Sequence, residues 1–556
     1  MSIFRSVFFA ALFLCSFCSF GQAQPPQPKG KKIVCNAELL NYDENIVKNV
    51  QILTGNVRFE HEGAICYADT AYFNEDLNTI DAYGQKLVIH MNDSVSLYGK
   101  HLQYDGNTKQ AFVNQDVILT NESAVLYTDK LYYDRNLDLG YYNTGGRVES
   151  GQSILTSKEA WFYTKRNVVD FKDSVVLVNP EYLINSDTLQ YNTSTEVAYF
   201  LGPTFIYSDS NTMYCEYGWY DTWTDICEFQ KESKLYNKTQ CLIADTIWYD
   251  KKNDMGIARR SVVMTDTVEN VLFLSHYAEY QQKKGNAYLT DSAVAVMIDK
   301  DSGDSLFLHS DVLYVDFDSN QTITLLQAYY QVQFFRHDLQ GSCDSLAYDA
   351  KDSVVVLINS PVMWSEENQF LADTIRMFIK NEQLSEVHYI DNASVFADVF
   401  EEQQFNQVKG DYMIGYFVDN QLETVFVDGS AECLYYIQEE NKDLIGIQKS
   451  TSAQMRVFFE ENKVRIIRFY EDVKGKIYPE NMLEEPLLQD FIWLDEYRPK
   501  TKEDIFRPFI YKAPPKDTPN GDGDEDSERE EEEDDDSNKT NESGDDGDIS
   551  MPENNF

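Results

Sequence analysis

The sequence predicts an all-β protein, built as an extended β jelly roll or β-solenoid of stacked antiparallel strands. Aromatic residues are abundant, with 37 Tyr and 33 Phe, while 26 Gly and 14 Pro are modest for 556 residues; this composition favours strands. Apolar and polar residues alternate over most of the chain, and helical spacing is nearly absent. A strand-like phrase also recurs at regular spacing, which is typical of repeat architectures.

The first 23 residues read as a cleavable signal peptide. Arg5 supplies the positive start, and the apolar run at 7–20 is too short for a membrane-spanning helix. Gly21-Gln22-Ala23 has the small-x-small pattern of a cleavage site, so we expect cleavage after Ala23 and a soluble mature chain outside the cytoplasm. Residues 24–32 then form a proline-containing linker.

The repeated phrase consists of a small residue, Asp, Thr or Ser, an aliphatic residue, any residue, an aromatic residue and then Asp or Asn. Copies stand at 68–74, 128–134, 186–192, 244–250 and 343–349, with a worn copy at 372–378. The aromatic position returns with a mean period of about 32 residues, which gives about 13 repeats.

Each repeat holds two strand-like pieces joined by a polar turn. In the phrase itself, Asp187, Leu189 and Tyr191 alternate with Thr188 and Gln190, which predicts one apolar face. Because a single repeat cannot bury this face alone, stacked repeats should form two facing sheets with a continuous core. The apolar positions of the second piece include Val117 and Leu119, Val175 and Leu177, and Val262 and Met264.

The repeated phrase is clearest in an N-terminal set of repeats at 33–260. A C-terminal set at 261–475 has diverged from it. Residues 476–512 mix prolines with large apolar residues, and we expect this segment to dock back as a cap on the last repeat. Residues 513–556 form an acidic tail that should be disordered, with 16 acids against Arg529 and Lys539 between 521 and 548.

The chain is strongly acidic, with 93 Asp plus Glu against 47 Lys plus Arg and a net charge of −46. Nucleic-acid binding requires a basic footprint, so this partner class is excluded.

Seven cysteines lie beyond the signal peptide, and none forms a C-x-x-C pair. Their spacing argues against a disulfide framework or a zinc site and favours small buried strand residues. One bridge among Cys215, Cys227 and Cys241 remains open.

No catalytic motif appears, and the seven histidines are scattered. The repeated Asp is best interpreted as a corner device that accepts backbone hydrogen bonds. Two alternatives stay open: acid–base pairs across stacked repeats, and calcium ligation. We therefore expect no enzyme activity, no catalytic residues, no cofactor and no metal.

Two pairs of strand pieces resemble the OstA-like (organic solvent tolerance) family that includes LptA. The first pair is 55–59, which reads Gly-Asn-Val-Arg-Phe, followed by 66–73 with its Ala-Asp-Thr. The second pair is 116–120 followed by 127–134. The resemblance covers most of 33–470, and the length, the signal peptide and the C-terminal segment look like the long members found in Bacteroidetes-type bacteria.

The resemblance implies a periplasmic β jelly roll that binds the lipid A part of lipopolysaccharide. It also implies strand-edge stacking with other jelly-roll components of a bridge between the inner and outer membranes. By position, the apolar residues that resemble the groove face are Val57, Phe59, Leu87, Ile89, Val117, Leu119, Val175 and Leu177.

The leading hypothesis is therefore a non-enzymatic lipopolysaccharide-binding transport protein that shields lipid A in an apolar groove. The alternatives are a secreted structural or adhesive β-solenoid that binds proteins or glycans, and a polysaccharide-active β-helical enzyme.

Overall fold

The computed structural model describes most of the chain between residues 31 and 509. The predicted signal peptide, nearly all of the linker and the acidic tail lie outside the described residues. Those residues are 31–42, 48–208, 211–281, 283–299, 303–381, 383–399, 404–419, 421–439, 443–460, 463–479 and 487–509.

The described chain is almost entirely antiparallel β-strand, which confirms the predicted fold class. The first eighteen strands are β1 (Val34–Asn36), β2 (Leu39–Tyr42), β3 (Gln51–His61), β4 (Ala64–Asn74), β5 (Thr79–His90), β6 (Ser96–Asp105), β7 (Gln110–Thr120), β8 (Val125–Asp134), β9 (Leu139–Tyr142), β10 (Gly146–Ser150), β11 (Ser153–Ser157), β12 (Glu159–Tyr163), β13 (Val168–Asn179), β14 (Tyr182–Asn192), β15 (Val197–Phe200), β16 (Thr204–Tyr207), β17 (Thr212–Cys215) and β18 (Tyr217–Asp221).

The remaining eighteen strands are β19 (Ile226–Tyr236), β20 (Gln240–Asp250), β21 (Met255–Asp266), β22 (Val271–Gln281), β23 (Asn286–Ile298), β24 (Ser305–Phe317), β25 (Ile323–Arg336), β26 (Leu339–Asp349), β27 (Val354–Ile358), β28 (Val362–Ser365), β29 (Asn368–Leu371), β30 (Thr374–Lys380), β31 (Gln383–Asp398), β32 (Phe405–Val418), β33 (Gln421–Gln438), β34 (Leu444–Glu460), β35 (Lys463–Tyr470) and β36 (Lys474–Tyr478). They include the longest ones, β31, β33 and β34, at 16 to 18 residues.

Two 3₁₀ helices follow the strands, at Asp495–Tyr497 and Asp504–Phe506. Within the described residues, no helix is long and apolar enough to cross a membrane.

Most strands bend near their midpoint, at a corner where the pairing register breaks. In the β3–β4 pair, Thr54 pairs with Thr70 and Val57 with Ala68, so two residues of β3 oppose Asp69 alone. Both of these β3 residues, Gly55 and Asn56, have positive φ, which turns the backbone sharply. The two halves of each strand therefore belong to two facing layers.

The repeated Asp is the single residue on the other side of such corners. Asp187 opposes Asp173 and Ser174, both of which have positive φ. At the first corner the Asp69 carboxylate accepts a hydrogen bond from the Gln85 backbone N–H at 2.8 Å. The structure thus supports the interpretation of this Asp as a corner device. The sequence predicted that Asp187 shares a face with Leu189 and Tyr191. In the structure Asp187 is exposed while the other two are buried, because the corner interrupts the alternation.

The interior between the layers is filled by apolar side chains from both halves of the strands. One cluster of buried residues runs from Ile33 to Val262, and a second runs from Val271 to Val457. We call the half-strands that include 57–61 the first layer and those that include 51–54 the second layer.

The segment 487–509, which we call the strap, packs on the outer face of the first layer in the C-terminal half. Leu488 joins a buried cluster with Leu434, Tyr436 and Ile447. Much farther along the sheet, Ile505 packs against a cluster that contains Val294 and Val296. Phe491 lies between these points, with its ring 4.7 Å from that of Phe396 and 4.9 Å from that of Phe405. The strap therefore crosses many strands and not the last repeat alone.

Buried glutamines on this outer face bind the strap backbone. Gln369 donates to the Ile492 carbonyl at 2.8 Å and accepts from the Leu494 N–H at 2.7 Å. Gln407 accepts from the Leu488 N–H at 2.8 Å. Because each amide both donates and accepts, glutamine can satisfy backbone groups that would otherwise be buried without partners.

Replacing Gln369 by Ala is expected to loosen the middle of the strap. The change leaves the Leu494 N–H and the Ile492 carbonyl unpaired and should cost about 2 kcal/mol of local stability. Hydrogen exchange of strap peptides should then accelerate by roughly 30-fold. The control is Gln103→Ala, an exposed glutamine of the second layer. Unchanged strap exchange in the Gln369 variant would contradict this role.

Candidate functional site: the lips between the two layers

Hairpin turns form two rows that face each other across the interior, opposite the corners. The first row contains the turns that follow β3, β5, β7, β10 and β13, and the second contains those that follow β4, β6, β8, β12 and β14. We call these rows the lips. In the described residues, the contacts between the lips all involve side chains, whereas backbone hydrogen bonds link turns within one row.

Arg135 of the second lip closes the N-terminal end of the interior. Its Nη1 donates to the His61 carbonyl at 2.9 Å and to the Tyr104 hydroxyl at 3.0 Å. Its Nη2 donates to the Glu62 carbonyl at 3.1 Å. Three acceptors therefore hold one guanidinium, and two of them belong to the first lip.

His61 and Tyr104 complete this arrangement, which we call the clasp. The His61 Nδ1 lies 2.7 Å from the Tyr104 hydroxyl oxygen, and its Nε2 donates to the Lys31 carbonyl at 2.8 Å. Burial raises the pKa of Tyr104. A hydrogen bond from Lys109, at 2.5 Å, lowers the pKa of the Glu62 carboxyl. The clasp thus places two cations, Arg135 and Lys109, at the lips of a chain that is otherwise strongly acidic.

Further along, small hydroxyl and amide groups join the lips. The Ser123 and Thr193 hydroxyl oxygens lie 2.7 Å apart, and Asn121 Nδ2 donates to Asn167 Oδ1 at 2.8 Å. Each of these contacts is weak on its own, because a typical intramolecular hydrogen bond contributes only about 1 kcal/mol net.

The last N-terminal contacts join the β13–β14 turn to the ends of β18 and β20, which continue the second lip. The rings of Tyr182 and Tyr220 meet edge to face with centroids 4.9 Å apart, and Lys251 pairs with Glu181. The lips are therefore closed by separate contacts and not by a continuous ladder.

The structure places every predicted groove residue inside, behind the lips. The eight side chains are between 0% and 4% exposed and belong to the N-terminal core cluster: Val57, Phe59, Leu87, Ile89, Val117, Leu119, Val175 and Leu177. Phe59 and Ile89 line a cavity of about 20 Å³ beneath the clasp, which is room for a water molecule. The interior surface is therefore apolar as predicted, but it is packed shut.

The sequence did not identify the clasp residues. Arg135 immediately follows the Tyr133–Asp134 end of a repeated phrase, and a cation at a turn of an acidic chain is the one signal that could have drawn attention to it.

The seven cysteines beyond the signal peptide are free thiols, including Cys215, Cys227 and Cys241. Burial raises the pKa of Cys215 and of Cys433 to about 12, as expected for inert strand residues.

Potential metal-ligand atoms of Asp304, His337 and Asp338 lie within 4.8 Å of one another near a first-lip turn. His337 and Asp338 are exposed, and surface acidic groups of this kind are common without an ion.

Comparison with known proteins agrees with the strand pattern. Residues 29–187 match the family model described as OstA-like protein. The match covers 159 of the 556 residues, all of them in the N-terminal half. A solved structure of LptH from Pseudomonas aeruginosa, described as the LptA homologous periplasmic component of the lipopolysaccharide transport device, is 16% identical with a TM-score of 0.18, over 19% of this chain and 80% of that chain. No curated protein sequence matches the chain.

Replacing Arg135 by Met is expected to open the clasp while keeping a long apolar side chain. Because a hydrogen bond to a charged group contributes about 1.5–3 kcal/mol, hydrogen exchange at the 61–64 turn should accelerate at least tenfold. Arg166→Met is the matched control, since Arg166 lies over the Tyr163 ring in the second lip, 5.5 Å from its centroid. Equal exchange in both variants would show that Arg135 does not hold the lips together.

Proposed function

We propose that this protein is a non-enzymatic, lipopolysaccharide-binding transport protein of the periplasm. It shields the acyl chains of lipid A between its two layers and helps to bridge the inner and outer membranes for outer-membrane assembly. The OstA-like match at 29–187 supports this assignment. The single observation that carries it is the apolar interior from Ile33 to Val262, which is closed along the lips through side chains.

The energies permit the lips to open for a lipid. Burying an acyl chain of about twelve carbons yields roughly 10 kcal/mol, at about 0.8 kcal/mol per CH₂. The clasp has three hydrogen bonds donated by Arg135 and one donated by the Tyr104 hydroxyl to His61 Nδ1, which together contribute roughly 6–10 kcal/mol net. One acyl chain therefore roughly balances the clasp, and a lipid with more than one acyl chain outweighs it. The contacts of the acyl chains replace those lost between the separated side chains.

The lips also offer the positive charge that can bind a lipid A phosphate. Arg135 and Lys109 lie at the lips, and both are bound there to groups of the 61–62 turn. When the clasp opens, these cations are released next to the apolar interior. An amphiphile with acyl chains and phosphates matches this pairing of an apolar interior and cationic lips.

The sheet edges are suited to stacking with other jelly-roll components of a transport bridge. Within the described residues, β1 and β2 at the N-terminal edge pair with β3, and their exposed side chains include Val34, Leu39 and Leu40. At the C-terminal edge, β35 and β36 pair with β34 in the part of the chain that the structure describes, and Ile477 is 66% exposed. Strands at the edge of a sheet can accept a further strand. We assign lipid shielding to the interior of 33–260 and stacking to the two edges of the sheet.

A photo-crosslinking amino acid at Phe59 is expected to capture lipopolysaccharide. Phe59 lies in the interior beneath the clasp, whereas Thr188 points out of the second layer and serves as the control site. The measurement is the amount of lipopolysaccharide adduct on each purified, folded variant. Adducts at both sites, or at neither, would contradict interior binding and favour a structural or adhesive solenoid.

A disulfide across the lips is expected to block this binding. Ser123→Cys with Thr193→Cys places two thiols where hydroxyl oxygens now lie 2.7 Å apart. The oxidised double variant should give at least tenfold less Phe59 adduct, and reduction should restore it. Ser123→Cys alone is the control for the loss of the hydroxyl. Full crosslinking with the disulfide formed would show that lipid does not enter by separating these lips.

A further inference from the structure

An open groove lies on the outer face of the second layer, near the N-terminal end of the sheet. Its volume is about 1060 Å³, which is as large as typical small-ligand sites. Tyr72 on β4 stands on one side, and Phe112 on β7 with Tyr132 on β8 stands on the other. The side chains of Tyr72, Phe112 and Tyr132 point away from the core, while the core residues Ile80, Tyr104 and Ala111 also border the groove.

Polar side chains form the floor between these aromatic rings. Asp81 and Gln103 occupy β5 and β6 in direct register, so that Tyr72, Asp81, Gln103 and Phe112 make one row across four strands. At about 4.8 Å per strand the row spans about 14 Å. The Gln103 amide is exposed and has no hydrogen-bond partner among the described residues. It is therefore available to a ligand.

The charge of the groove restricts the ligand. Its lining contains the carboxylates of Asp81 and Asp105 and the amides of Asn74, Gln103 and Gln110, but neither Lys nor Arg. Asp81 already accepts a hydrogen bond from His101 Nε2 at 2.6 Å. A phosphate or another anion would be repelled here, whereas hydroxyl and amide N–H groups would find acceptors.

We propose that this groove binds a linear glycan of uncharged hexose or N-acetylhexosamine units. Sugar rings have apolar C–H faces that pack on aromatic rings, and hydroxyl groups at their edges that donate to carboxylates and amides. In the row, Tyr72 and Phe112 place an aromatic ring at each end, and Asp81 and Gln103 place a carboxylate and an amide between them.

The same register continues the aromatic surface beyond the groove. Phe112 pairs with Tyr132, Tyr132 with Tyr141, and Tyr141 with Trp161. The rings of Tyr132 and Tyr141 stack with centroids 4.8 Å apart. A glycan chain that enters the groove can therefore run on across the strands. The proposal does not rest on lipid carriage, since it concerns the opposite face of the layer.

The test is isothermal titration calorimetry of the mature full-length protein with chitohexaose and with cellohexaose. Both are uncharged, and neither carries an acyl chain, so failure here leaves lipid carriage untouched. Tyr72→Ala should weaken binding about tenfold, because it removes an aromatic ring on which the apolar face of a sugar ring packs. Gln103→Ala, an exposed change with little risk to folding, should also weaken binding.

Tyr67→Ala is the matched control. Tyr67 lies on the same strand, β4, and is 43% exposed against 38% for Tyr72, but it faces outward from the first layer. Both tyrosines make one edge-to-face ring contact, with centroids 6.3 Å apart for Tyr67 and His90 and 6.2 Å apart for Tyr72 and Tyr83. Undiminished binding in Tyr67→Ala with loss in Tyr72→Ala would support the site. Absence of binding to both glycans, equal loss in both tyrosine variants, or preference for a sulfated oligosaccharide would overturn it.

Discussion

The two-against-one corner is the constraint on which the rest of the structure depends. Where Gly55 and Asn56 oppose Asp69, the strand must turn, and positive φ at both residues makes that turn possible. A straight strand would give a single flat sheet with one face exposed. The corner instead folds each strand onto itself, so that Leu53 and Val57 of the same strand, at 1% and 0% exposure, reach one interior from two layers.

Closing the layers at the corners leaves them free to separate on the other side. The corner side is continuous backbone, whereas the opposite side is held by groups such as Arg135, Ser123 and Lys251. A reversible carrier of acyl chains requires two layers that stay joined by backbone on one side and are held only by side-chain contacts on the other. A core closed by backbone ladders on both sides could not open without loss of whole strands. The packed interior is therefore compatible with lipid carriage, provided that the lips move.

The sequence predicted the elements of this fold better than the contacts between them. The alternation around Val117 and Leu119 correctly indicated buried positions, because inward residues recur every second position within a half-strand. The alternation failed at Asp187, where the corner shifts the register. The clasp could not be predicted, since Arg135 and His61 are 74 residues apart and meet only through the offset of the two lips. The extent of the strap was equally hidden, because Gln369 and Gln407, both 0% exposed, read as ordinary surface residues of a strand.

The two outer faces show which surfaces the chain covers with its own residues. In the C-terminal half of the first layer the outer positions Val294 and Val296 are apolar, and the strap buries them to 3% and 4% exposure. In the second layer the outer row mixes aromatic rings with carboxylates and amides, and Tyr72 and Gln103 stay exposed. An exposed apolar surface such as that of Val294 and Val296 is unfavourable in water, whereas the mixed aromatic and polar surface of the second layer can remain hydrated. The strap thus removes a surface that would promote aggregation, and the second layer keeps one that can exchange water for a polar ligand.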